Sequence, residues 1–172
     1  MNSESGSDQR GVALLAETPR RFESELAILG EPGFGRRPTP DEWSPLEVLR
    51  HVRASGLVVS SRIWSSLTGT QGVHPSLDER KYGDLLARVG LSAADQIRVF
   101  VLRRREPIDL LWRLSDDEWM VTVRTDLGEA PISRVTVEMA SHENEHLDQL
   151  ARAAAVNATS GQPVRGPFVT GR

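Results

Sequence analysis

The chain has 172 residues, a formal net charge of −3, 38% hydrophobic residues, four histidines and no cysteine. Without cysteine there is no disulfide framework, thiolate-ligated zinc finger, iron–sulfur cluster or cysteine nucleophile, so a bound metal must rest on imidazole or carboxylate. The length suits one domain with a core that needs no staple, and the mildly acidic balance makes a poor polyanion binder, so no nucleic-acid partner is expected.

Residues 1–10 and 157–172 are rich in Ser, Gly, Gln and Pro, and are expected as a flexible N-terminus and a C-terminal tail around one domain at 11–156. The first ten residues lack the apolar core of a signal peptide. No apolar run approaches the ~20 residues of a membrane span. A cytoplasmic protein with no membrane partner is the expectation.

The first helix is expected over 11–29, with Leu15, Phe22, Leu26 and Leu29 on one face. Thr18-Pro19 within it reads as a fresh N-cap or a kink. The second helix opens on a capping box, Ser44-Pro45-Leu46-Glu47, presents Leu49, Val52, Gly56, Val59 and Ile63, and should end before Gly69. The Gly- and Pro-rich stretch 69–90 is read as a long crossover holding a short helical turn around Tyr82–Val89. A third helix opens at Ser92 and carries Ile97, Phe100, Val101, Ile108 and Leu111, with a bend expected at Pro107. Residues 119–128 suit a brief extended or hairpin excursion. The fourth helix begins near 131–133, with Ile132, Val135, Met139, His146 and Leu150 on one side. The fold class that follows is all-α, a four-helix bundle with one long crossover connection.

The chemistry lies in the histidines. His142 and His146 are four apart on the last helix and share the arc of Val135, Met139 and Leu150, so both point into the bundle. His51 borders the arc of Val48, Val52 and Val59 on the second helix and can face them. Two imidazoles from one helix and one from another make a facial three-nitrogen site. A lone inward histidine is more often a satisfied core residue, but an inward pair must find partners for four ring nitrogens. His74, before Pro75 in a polar loop, reads as surface.

His142-Glu143-Asn144-Glu145-His146 also fits the H-E-x-x-H pattern, in which a zinc peptidase uses the glutamate as base. Such an enzyme needs a third ligand, normally downstream, and Asp148 is the sole acid or histidine after His146. That leaves the peptidase reading weak.

The segment Asp41-Glu42-Trp43-Ser44-Pro45-Leu46-Glu47-Val48-Leu49-Arg50-His51, followed by His142-Glu143-Asn144-Glu145-His146-Leu147-Asp148-Gln149-Leu150, resembles the DinB/YfiT-like family of bacterial metal-binding four-helix bundles. The resemblance spans about residues 11–155. It implies that His51, His142 and His146 coordinate a divalent cation, nickel or zinc, and that the protein pairs as a homodimer. It implies a metal-dependent transferase using a low-molecular-weight thiol of the mycothiol, bacillithiol or glutathione type on a small-molecule substrate. Since the chain has no cysteine, the sulfur must come from outside. A non-catalytic metal-binding protein linked to stress or DNA damage is the alternative, and a metal-dependent hydrolase using water is a lesser one.

Supporting residues follow from position. Glu47, one turn before His51, either orients that ring or serves only the capping box. Glu143 is a candidate base beside the metal, against the alternative of an exposed helix-edge carboxylate. Arg50, Arg53 and Arg62 are candidates to meet an anionic substrate, and Arg103–Arg105 reads as a solvated face. The four tryptophans read as core or rim packing, with a pocket-lining role open to one.

Overall fold

The computed structural model describes residues 3–70, 77–126 and 128–160. His74 and the segment 161–172 lie outside the described residues. In chain order the elements are α1 (Ser3–Phe34), α2 (Pro45–Leu67), α3 (Glu79–Arg88), α4 (Ala93–Leu111), α5 (Asp116–Trp119), β1 (Thr122–Thr125), β2 (Gly128–Pro131) and α6 (Ile132–Ser160).

The bundle consists of α1, α2, α4 and α6. α1 packs along α6 and α4, while α2 packs along α6 and, more sparsely, α4. The consecutive helices α1 and α2 are therefore diagonal. Gly11 lies against Thr136 and Val137 near the start of α6. Asn157 near the other end of α6 donates to the carbonyls of Gly33 (3.0 Å) and Arg36 (2.7 Å). α1 and α6 thus run parallel. α2 opposes α6, with His51 beside His142 and Gly56 beside Met139. α4 opposes α1, since the backbone N–H groups of Ala93 and Ala94 donate to the Glu31 carboxylate at 2.8 and 3.0 Å. With α2 and α4 parallel, their connection must travel back along the bundle, which is the expected long crossover. α3 rides on that return, with Gly83 close to Arg50 on α2.

Local chemistry explains the boundaries. At the start of α2, Ser44 Oγ accepts from the Glu47 N–H at 3.2 Å, and Glu47 Oε2 accepts from the Ser44 N–H at 2.9 Å. Ser92 Oγ accepts from the Asp95 N–H at 3.0 Å to open α4. The long regular run of α1 stops at Gly30, whose φ of 62° lies in the left-handed region, so the expected end near Leu29 holds and a short further turn reaches Phe34. Thr18-Pro19 does not break α1: the only non-helical backbone inside it is Gly30, and the Thr18 hydroxyl donates to the Leu14 carbonyl at 3.3 Å.

Two boundaries differ from expectation. α1 begins at Ser3, inside the segment expected as flexible, and α6 runs to Ser160, past the expected edge at 156. Its polar neighbours place Asn157 in the expected tail. It is instead only 3% exposed, its amide pinning the end of α1. The brief extended or hairpin excursion expected over 119–128 is a hairpin displaced toward α6, β1 and β2 pairing Thr122 with Pro131 through Thr125 with Gly128. α5 was not anticipated.

The core falls into two apolar clusters. One holds Val12, Leu15, Ile63, Ile108, Leu111, Val123, Ile132 and Met139. The other holds Phe22, Phe34, Val48, Leu49, Val52, Phe100, Leu147 and Leu150. Between them in sequence on each helix lie Thr18, Ser55, Arg104 and Glu143, all buried. The Arg104 guanidinium bonds Glu143 Oε1 and packs 4.9 Å from the Phe100 ring centroid. Gly56 leaves it room, since a methyl there would come within 3.0 Å of Arg104 Nη2. The run 103–105 is therefore not a uniformly solvated face: Arg104 sits on the stripe of Phe100, Ile108 and Leu111 and is turned inward.

A buried pair costs most when only half of it is removed, because the survivor is a charge without a partner. Glu143→Ala should destabilise the fold by about 3–5 kcal/mol in urea unfolding, and the double change Arg104→Met with Glu143→Leu should recover most of that loss.

Candidate metal centre

α2 supplies His51 and α6 supplies His142 and His146. One potential ligand atom from each lies within 4.8 Å of the others, so the three could hold a metal ion. His142 Nε2 is 3.2 Å from Nε2 of His51 and 3.2 Å from Nε2 of His146. A tetrahedral site with metal–nitrogen bonds of ~2.0–2.1 Å sets its nitrogens about 3.3 Å apart, so the spacing matches.

The outer ring nitrogens decide what the inner ones offer. His51 Nδ1 lies 3.1 Å from Glu79 Oε2 on α3. His146 Nδ1 lies 3.0 Å from Gln149 Oε1. A carboxylate and an amide oxygen only accept, so each Nδ1 carries the proton and each Nε2 turns a lone pair inward. His142 Nδ1 is buried without a partner, and a proton on its Nε2 could meet only one of the two neighbouring lone pairs, whereas a cation would take all three Nε2 atoms at once. This is the donor set of a divalent metal site.

Burial supports the neutral, ligating form. The His51 pKa is pushed down to about 4 from an ordinary 6.5, chiefly by burial and then by the neighbouring His146 and His142. His142 is also lowered, by burial first and then by His146. Burial pushes Glu79 upward, opposed by Arg62. Trp43 closes one side, stacked on His146 at 6.0 Å between centroids and tilted over His51 at 5.1 Å. Trp43 and His51 also line a cleft of about 200 Å³ that opens between α2 and α3, with Glu79, Arg37, Arg50, Arg80, Glu47 and Asp84 in its wall.

Several supporting residues stand elsewhere than the sequence suggested. Glu47 serves the capping box and Arg37, whose Nε lies 2.9 Å from Glu47 Oε2, and the acid beside His51 is Glu79. Glu143 is 1% exposed and paired with Arg104, so it is no helix-edge carboxylate. Burial pushes its pKa up, while the Arg104 guanidinium favours the charged form. Arg50 borders the cleft and bonds Gln96 at 3.2 Å, but Arg53 is buried against α4 and Arg62 is buried against Asp126 at 2.9 Å. Asp148 is exposed and lies outside the three-histidine group. Of the tryptophans, Trp43 is the one at the site. Glu79 was missed because its neighbour is fixed by the crossover's path; the Asp78 cap on α3 is visible in sequence but says nothing of what α3 covers.

Residues 14–150 match the family model of the DinB superfamily. Among solved structures, YfiT from Bacillus subtilis superposes with a TM-score of 0.77 at 13% identity, over 90% of this chain and 89% of that one. That protein is described as a probable metal-dependent hydrolase with an unusual four-helix bundle topology. At that identity the likeness shows the shared fold. No curated protein matches the sequence. No helix among the described residues is long and apolar enough to cross a membrane.

Because His51 holds a pKa near 4 in the fold against 6.5 in a free chain, the unfolded state takes up a proton that the folded state refuses. Its contribution is whole above pH 6.5 and is lost as pH falls toward 4. In metal-free protein, the melting-temperature difference between wild type and His51→Gln should therefore shift against wild type over that interval. A difference independent of pH would show that His51 is not held neutral.

Proposed function

The chain belongs to the DinB superfamily, and from that premise we propose that His51, His142 and His146 hold a divalent cation, nickel or zinc, in a metal-dependent transferase. Its co-substrate is an external low-molecular-weight thiol of the mycothiol, bacillithiol or glutathione type, and its acceptor is a small electrophile. The observation that carries this reading is the convergence of three Nε2 atoms, two of them on rings with the outer nitrogen anchored, beside an open charged cleft. When bound, such a cation offers an open position that lowers the pKa of a thiol or water toward neutrality.

The chain's own groups do the rest. Glu79 fixes the tautomer and tilt of His51, and Gln149 does the same for His146. Trp43 keeps water from the stacked face of His146. Arg50 and Arg80 on the cleft wall offer donors to an anionic thiol. With one oxygen committed to Arg104, Glu143 acts as a positioning residue that sets the register of α6 between His142 and His146. A hydrolase reading, with water in place of the thiol, is favoured by the fold shared with YfiT.

Elemental analysis should find about one equivalent of divalent metal in the purified protein and little in His142→Ala. Glu79→Ala should weaken metal affinity about 10–100-fold while leaving the bundle folded. Metal-loaded protein should conjugate one of the three thiols to a chloronitrobenzene, and His146→Ala should abolish this. Metal-dependent ester cleavage without any thiol would select the hydrolase. Equal metal content in wild type and His142→Ala would remove the site itself.

A further inference from the structure

α2 carries a second functional face. Arg53 is two residues beyond His51, about 200° around the helix, so the side away from the histidines faces α4. There the two helices pack sparsely and leave a groove of about 270 Å³. Its walls include Leu57 and Trp64 from α2 and Phe100 and Pro107 from α4, with Arg53 and Arg103 at one end. Leu57 and Trp64 are 40% and 37% exposed, large apolar groups left open to solvent. Inward, a chamber of about 20 Å³, room for one water, continues between α2, α4 and α6. One wall of it is Thr136, which is 1% exposed and whose hydroxyl has no hydrogen-bond partner.

The charges are out of balance. Arg104 at the back of the groove is neutralised by Glu143. Arg53 is 8% exposed, yet its bond is to the neutral Gln96 amide oxygen at 3.4 Å, an oxygen that Arg50 also uses. It forms no ion pair with a carboxylate among the described residues, and Arg50 and Arg103 both stand close enough to oppose its charge. A buried guanidinium without an anion is costly and calls for one. Glu106 at the rim offsets one of the two charges of Arg53 and Arg103, leaving a single positive charge to be met.

We propose that the α2–α4 groove is a ligand site distinct from the histidine centre, taking a small monocarboxylate with an aromatic or branched apolar body. The carboxylate lies on Arg53 and Arg103, and the body lies on Trp64, Leu57 and Phe100. The charge balance favours a monoanion over a phosphate dianion. The apolar walls favour a ring over a bare anion such as acetate, and the Thr136 hydroxyl gives the deepest point of the ligand, or its one water, a partner.

Isothermal titration of the whole protein with phenylacetate tests this. One saturable site is expected, weakened at least about tenfold by Arg53→Gln and abolished by Ser60→Phe, which fills the groove; melting curves identify a variant that fails to fold. Binding should survive in His51→Ala, which separates it from carboxylate binding at a metal, and phenyl phosphate and benzyl alcohol should bind more weakly. Absence of saturable binding, equal affinity in a folded Arg53→Gln, loss in His51→Ala or tighter binding of phenyl phosphate would each overturn the assignment. So would a dimer that Leu57→Glu converts to monomer, since a second copy would then cover the groove.

Discussion

The Arg104–Glu143 pair is the constraint from which the rest of the bundle takes its register. It lies between two apolar clusters, and a buried ion pair is tolerated only where its partners meet in good geometry. Sliding α6 by one turn relative to α4 would leave a guanidinium and a carboxylate separately buried, at a cost far above that of imperfect apolar packing. Leucine and valine alone would accept such a slip with modest loss. Gly56 completes the layer by giving the guanidinium space that a methyl group would take. With α6 fixed at residue 143, His142 and His146 are fixed on either side of it, and the imidazole geometry inherits the precision of the pair.

Topology then supplies what the bundle helices lack. Because α2 and α4 run parallel, the chain between them returns along the molecule, and α3 lies on that return against α2. The acid that orients His51 arrives by this route. The same arrangement explains why the two faces of α2 differ so much. One packs against α6 and α3 around the histidines, with a charged cleft open beside His51, and the other meets α4 only loosely, leaving Arg53 beside an apolar groove.

Much of this was legible in the residues. The Ser44 and Ser92 caps, the apolar stripes and the inward arc of His142 and His146 are local signals, and the fold class, the hairpin and the three histidines followed from them. The burial of Arg104 and Glu143 was also written in the periodicity, since Arg104 is four residues from both Phe100 and Ile108, and Glu143 lies between Met139 and Leu147. Charge masks that pattern, because an isolated ion belongs outside and only a partner 39 positions away reverses the rule. Ser115 and Glu118 form the same capping box as Ser44 and Glu47, but the helix after them is four residues long and has no apolar stripe to draw notice. Glu79 and Asn157 were not legible, for their partners are set by the path of the chain.

The division of the histidines between helices bears on how the chain finds its fold. His142 and His146 need only a turn of helix to come together, whereas His51 is 91 residues from His142. A cation seated on the α6 pair and then on His51 would close a loop of that length, acting as a reversible cross-link. Long closures remove the most freedom from an unfolded chain, by an amount that grows only logarithmically with length. Were the pair on α6 to keep some affinity with the bundle open, a cation's stabilising effect would be set by what His51 adds and not by the whole binding energy. A single imidazole on α2 would then govern how much of a metal's grip is converted into folding.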